Sequence, residues 1–298
     1  MQPSRRPGAR LYYDYLPPAG TACGDIWRDL PSGGLLGTDP ITGLVVTPAC
    51  DLSQRKAETI TYLPVIPARA YFSTLGALPE VRSRTLGQLK AGGLALSTIW
   101  NHESFAPPSV DQLELIESEI GGFLRSQKRS EKQISALERA KAGLKIARAI
   151  GEPKLAEIEA SDLSALFGSE WEKIKSRIAT NSYSSYMHFL PSDEQNPAFS
   201  GVPQHSVVLF RYPMTSVIEI FDLAQHTTDA GWALAIDGMV RYLPAAGQFR
   251  TKRPLKALSV RTEFLHDLLS RYTSVYSRLG SPDFTEDSVE RMSKEMDR

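Results

Sequence analysis

Apolar positions recur along this chain in two different periods, and the change between them divides it. Residues 44–47 are a short apolar, β-branched run stopped by Pro48. Residues 59–65 alternate Thr, Ile, Thr, Tyr and Leu and are bounded by Pro64 and Pro67. Both patterns predict strands. Proline has no N–H to give a ladder, so Pro64 is expected to end the second strand or to place it at an edge. The polar residues 51–56 read as a connection between the two. Residues 73–108 are mixed, punctuated by Pro107-Pro108.

From residue 110 to residue 179 the strand signal disappears and a helical period takes over. A first helix, capped by Ser109 or Asp111, carries Leu113, Ile116, Ile120 and Leu124 and is weakened by Gly121-Gly122. A second carries Ile134, Leu137, Leu144 and Ile150 and stops at Gly151 and Pro153. Third and fourth helices are expected over 154–167 and 169–179, the last presenting Trp171, Ile174 and Ile178.

Strands return at 205–211 and 216–221, with Pro213 in a tight connection that predicts a β-hairpin. A third run, 232–242, contains Asp237-Gly238, which is itself a hairpin turn signal. The last strong element spans 259–279. There Phe264, Leu265, Leu268, Leu269, Tyr272, Val275, Tyr276 and Leu279 form one broad apolar stripe, with Gly280 as C-cap and Pro282 beyond it. The order is thus β, an all-helical block, β, then a packing helix. Its economical interpretation is one β-rich domain with a helical insertion, the later strands completing the earlier sheet; two separate domains are the alternative. The expected organisation is a basic N-terminal arm over 1–20, pinned by Tyr12, Tyr13 and Tyr15, then the first part of the sheet domain over 21–108. The helical insertion follows over 109–180, the remaining strands and final helix over 181–284, and a charged, frayed tail over 285–298.

Composition adds exclusions. The chain has 298 residues, 42% hydrophobic and 23% charged, as in soluble globular proteins. Lys+Arg and Asp+Glu stand at 34 each, so no global charge draws it to nucleic acid or anionic membrane. Residues 1–20 lack the apolar core of a signal peptide and carry Arg5, Arg6 and Arg10. No run approaches the roughly 20 apolar residues of a membrane span. A cytoplasmic protein is expected. Cys23 and Cys50 are too few for a cysteine-rich zinc site or a disulfide framework and are most simply small hydrophobes.

The opening strands carry a resemblance. Gly24-Asp25-Ile26-Trp27, then Gly43-Leu44-Val45-Val46-Thr47-Pro48, then the 59–65 strand with its proline, resemble the MazF/PemK-like SH3 barrel over about 45 residues. The resemblance implies a fold: an α+β protein built on a partly open SH3-like β-barrel, interrupted by the helical insertion and closed by the C-terminal amphipathic helix. The ribonuclease chemistry of that family is not matched. Its arginine before the apolar strand is replaced by Thr38-Asp39-Pro40-Ile41-Thr42, and Val65-Ile66 stand where its later threonine belongs.

Candidate chemistry is sparse. Cys50-Asp51 follows the most apolar strand, but none of His102, His188, His205, His226 and His266 has diagnostic spacing to Cys50. Asp51 is better suited to capping a turn by accepting backbone N–H bonds. The weak catalytic candidates are Arg28, Thr47, Cys50, Asp51 and Arg55. No metal motif is present; Asn101-His102-Glu103 and Asp222, His226 and Asp229 read as chance groupings. Gly33-Gly34 and Gly92-Gly93 lack the lysine and spacing of a phosphate loop. No cofactor is expected. Residues 125–148 hold eight Lys/Arg against Glu131 and Glu138. A second basic cluster comprises Arg250, Lys252, Arg253, Lys256 and Arg261 and is the candidate nucleic-acid-binding surface, with the salt sensitivity that implies. The function expected is a non-catalytic binding or regulatory protein of a bacterial toxin–antitoxin or phage-defence type system. A diverged MazF-like endoribonuclease is the enzyme alternative, and a subunit docking into a complex through its helical insertion is the third. A protein partner is expected, with nucleic acid as the second candidate.

Overall fold

The computed structural model describes residues 9–16, 19–94, 100, 106–126, 130–193, 195–196, 200–277 and 285–296. Eight antiparallel strands form one curled, half-barrel sheet: β1 (Tyr13–Asp14), β2 (Asp25–Leu30), β3 (Ile41–Val45), β4 (Thr59–Pro67), β5 (Met187–Leu190), β6 (Ser206–Leu209), β7 (Met214–Val217) and β8 (Leu255–Val260). The order is β1-β8-β2-β3-β4-β6-β5, with β7 also on β4. The later strands therefore do join the earlier ones in one sheet. Helices account for 52% of the molecule, so a β-rich domain is not what forms.

Alternation along the strands builds two cores, one on each face. Trp27, Val45, Ile60, Tyr62, Ile66, Val207 and Leu209 point to one side, and most of the helices cover them. Ile26, Leu44, Leu63, Val65, Val208 and Phe210 point to the other, where α10 (Thr262–Tyr276) lays Leu265 and Leu268. Of the stripe expected on that helix, Phe264, Leu269, Tyr272 and Val275 are partly buried beside Leu265 and Leu268, while Tyr276 is 49% exposed. Leu279, Gly280 and Pro282 lie outside the described residues. In front of it, residues 255–260 are strand β8, which the final-helix expectation had partly absorbed. Tyr12 and Tyr13 pin the N-terminal segment as expected: Tyr13 is fully buried and its hydroxyl donates to the Pro191 carbonyl at 2.6 Å.

On the first face, α3 (Leu78–Ala91) packs with α4 (Val110–Ser126), α5 (Glu131–Gly151), α6 (Ala160–Phe167) and α7 (Trp171–Ala179). Ser109 Oγ accepts the Gln112 N–H and Gln112 Oε1 accepts the Ser109 N–H, a reciprocal cap that starts α4. Ser130 and Gln133 do the same for α5. Gly143 lets α5 approach α3 closely: a Cβ there would stand 2.1 Å from Thr85 Oγ1. Ile134, expected on the buried side of α5, is 42% exposed.

Several local expectations are overturned. Pro64 does not end β4, which runs through it paired with β3, but on the β6 and β7 side Leu63 and Pro64 face a local unpaired edge. The neighbouring ladder breaks at residues 210–213, opposite Leu63 and Pro64, where proline has no N–H to offer. Strands β6 and β7 do not form the expected hairpin with each other; both pair with β4, one after the other along its length. After β7 the chain turns into α8 (Ile218–His226), not further strand. The run 232–242 is no hairpin either but lies in α9 (Asp229–Val240). Thr228 caps it by accepting the Gly231 N–H, and Trp232, Ile236 and Met239 are its buried face. Residues 51–56 are not a plain connection, since Ala49–Ser53 is a short helix, α2. The tail is helical over Glu286–Met296, α11, rather than frayed. No described helix is long and apolar enough to cross a membrane.

Candidate functional site

The sequence-derived candidates do not converge. Arg28 is exposed on β2, opposite Leu255 of β8. Thr47 is buried and its Oγ1 accepts the Thr61 N–H at 2.7 Å, which extends the β3–β4 ladder. Cys50 is exposed on α2, and its thiol donates to Asp51 Oδ1 at 3.6 Å. Asp51 closes the turn through its backbone carbonyl, which accepts the Lys56 N–H at 2.9 Å, and not through its carboxylate as expected. Arg55, exposed with φ 51°, is the left-handed residue that ends this turn. Thr47 and Asp51 alone share a hollow, of about 330 Å³, with Thr59, Thr61 and Tyr272. Among the described residues its walls bring no histidine, lysine or arginine to Asp51.

The second basic cluster is not an open cationic surface. Arg250 pairs with Asp237 at 2.7 Å, Lys252 with Asp29 at 3.1 Å and Arg253 with Asp229 at 2.5 Å. Arg261 donates to the Tyr13 carbonyl at 3.1 Å. Lys256 reaches Asp25, which is fully buried, at 2.7 Å. Burial raises the Asp25 carboxyl, against hydrogen bonds from Lys256, Ser259 and the Ala22 N–H. These cations hold β8 and the segments around it together. On α5, Lys141, Lys145 and Arg148 are matched by Glu138, Asp162 and Glu117. Lys128 and Arg129 lie outside the described residues, as does the Asn101-His102-Glu103 group. His226 Nδ1 is 2.8 Å from the Asp222 carbonyl, one helical turn back, so that spacing is local to α8. Among the described residues no group of His, Cys, Asp and Glu is placed to hold a metal ion.

A different site forms where the helices meet the β5–β6 end of the sheet. A cleft of about 420 Å³ is lined by Ala68, Arg69, Glu157, Ala160, Trp171, Lys175, Ile178, Ala179, Phe189, Gln204 and His205. Trp171, Lys175 and Ile178 fall at i, i+4 and i+7 on α7 and so face the same way. Phe189 comes from β5, on the face opposite His188. Arg69 sits in the turn that leaves β4. Beyond it, Ser73 Oγ donates to the Ala156 carbonyl at 2.7 Å and accepts the Ala156 N–H at 3.3 Å, which holds Glu157 beside Arg69.

The polar groups of the cleft are ordered by one another. Arg69 Nη2 donates to Glu157 Oε1, and Gln204 Nε2 donates to Glu157 Oε2 at 2.9 Å. Both oxygens of the carboxylate are therefore engaged. Lys175 reaches Glu172 at 2.6 Å and lies 5.9 Å from the Trp171 ring centre. The Ser192 N–H donates to His205 Nδ1 at 2.9 Å, which puts the neutral ring's proton on Nε2. The result is a partly apolar pocket with a few fixed polar groups, the composition of a small-molecule site.

None of these residues was singled out as a site by sequence. Trp171 and Ile178 show there only as one face of a helix. Arg69, Glu157, Gln204 and His205 come from loops and strand ends far apart in the chain, with no shared motif to find them by. No family model, no curated protein and no solved structure matches the chain.

Proposed function

We propose that this protein is a non-catalytic binding or regulatory protein, of the toxin–antitoxin or phage-defence kind, that recognises a small ligand in the Trp171–Phe189 cleft. The observation that carries this reading is the cleft itself: an apolar wall beside Arg69, Glu157 and Gln204, which are already ordered by mutual hydrogen bonds. Such preorganisation lowers the cost of binding. In this reading the curled sheet is an SH3-like barrel of the MazF/PemK kind, with the 109–180 helices inserted into it to make one wall of the cleft.

The test is ligand-observed NMR with neutral aromatic fragments, on the native protein and on Ala160→Trp. Ala160 is an exposed lining residue, so the indole fills the hollow without disturbing the core. Binding to the native chain that Ala160→Trp abolishes is expected; equal binding to both removes the cleft from the proposal. The ribonuclease alternative keeps one supporting observation, the hollow shared by Thr47 and Asp51. RNA cleavage by the purified protein, lost in Asp51→Ala or Arg28→Ala, would establish that activity in place of binding alone.

A further inference from the structure

The geometry points to a small aromatic carboxylate as the ligand of this cleft, bound with its ring against Trp171 and Phe189 and its carboxylate on Arg69. This inference rests on the binding reading above and adds the charge and shape of the ligand.

Arg69 lines the cleft paired with Glu157, and Lys175 lines it paired with Glu172. Each oxygen of Glu157 already accepts one hydrogen bond, from Arg69 and from Gln204, so a cationic ligand would have to share that carboxylate with Arg69. An anionic ligand meets the opposite situation. A guanidinium carries five N–H donors, and Glu157 engages Arg69 through Nη2. The remaining edge has the fork geometry that matches a planar carboxylate with two parallel hydrogen bonds. The Arg69 side chain is 40% exposed and that of Glu157 31%, so solvent already screens their pairing and an incoming anion disturbs little.

The apolar part of the cleft selects the rest of the molecule. Trp171 stacks on Phe167 at 5.9 Å between ring centres, with 25° between the planes. Phe189 is held against His205 at 5.4 Å. Both rings are thus fixed before any ligand arrives. A flat aromatic body gains from contact with such walls, whereas a strongly hydrated inorganic anion gains nothing there. Lys175, beside the Trp171 ring, is paired with Glu172 at 2.6 Å, so Arg69 supplies the carboxylate contact.

The test is titration calorimetry with naphthalene-2-carboxylate and its neutral amide, on the native protein and on Arg69→Gln. The acid is expected to bind the native protein about ten-fold or more tightly than the amide, as two charge-assisted hydrogen bonds allow. Arg69→Gln should erase that preference while keeping amide binding, and amide shifts on binding should centre on Ala179, Phe189 and Gln204. If acid and amide bind equally, or the preference survives Arg69→Gln, the carboxylate inference is overturned and the cleft remains a binding site. If neither compound binds, both readings fall.

Discussion

His188 gives the sharpest test of how the sheet and its covering helix are joined. Its side chain is 3% exposed on the α10 face, with Nε2 at 2.7 Å from the Tyr12 hydroxyl. Among the described residues its Nδ1 has no hydrogen-bond partner, and it stands 3.9 Å from Asp267 Oδ2. Burial pushes the imidazole down from 6.5 to about 4, against the Asp267 carboxylate, which raises it; Arg271 adds to the lowering. The unfolded chain therefore takes up a proton near pH 6.5, while the native protein resists it until about pH 4. Wherever the unfolded state binds more protons, stability rises with pH. Acidification through this window should thus destabilise the fold. At 1.36 kcal/mol per pH unit, the loss attributable to this one ring between about pH 7 and pH 4.5 is about 2 kcal/mol. The assay is urea unfolding across that range for the native chain and for His188→Gln. Tyr12 of the N-terminal segment and Asp267 and Arg271 of α10 face the site in both proteins, so their own titration largely cancels in the difference. The substitution costs some packing at every pH, an offset, but it should flatten the slope. Parallel pH profiles for the two proteins would refute the reasoning.

Three other outcomes follow from the packing. Lys256→Met leaves the Asp25 carboxylate buried without its cation and should destabilise the protein by about 3–5 kcal/mol, measured by chemical denaturation; a near-neutral result would mean that Asp25 is already held protonated. Gly143→Ala forces a Cβ against Thr85, whose hydroxyl donates to the Val81 carbonyl, and should cost about 1–3 kcal/mol by overpacking, read as a lowered thermal midpoint. Thiol alkylation at neutral pH should label exposed Cys50 first, because burial pushes the half-buried Cys23 thiol up to about 11; mass spectrometry showing Cys23 modified first would contradict this.

Local patterns settled the elements whose signal is local. The helices α4, α5 and α7 follow from a 3.6-residue period, and α4 and α5 also from the caps Ser109–Gln112 and Ser130–Gln133, interactions that span a single turn. The stripe of α10 is legible from the same period, and β3 and β4 from short apolar or alternating runs. Where the sequence misled, a partner distant in the chain decided. Pro64 is tolerated inside β4 because the strand beside it, about 150 positions later in the chain, makes no pair opposite it. Asp237-Gly238 looks like a turn, yet Trp232, Ile236 and Met239 bury one helical face, and that burial outweighs the cost of a mid-helix glycine.

Candidate chemistry divides in the same way. The sequence identified charged residues but not their partners, so Arg250, Lys252, Arg253 and Lys256 looked like a basic surface until Asp237, Asp29, Asp229 and Asp25 were placed against them. The cleft is the extreme case. Its lining spans residues 68 to 205 and exists only because α7 and the 156–160 segment pack against the β5–β6 end of the sheet. Periodicity and capping are properties of neighbouring residues, and the sequence alone determines them. Ion pairing and concavity depend on which distant segments share a surface, and only the tertiary structure decides that.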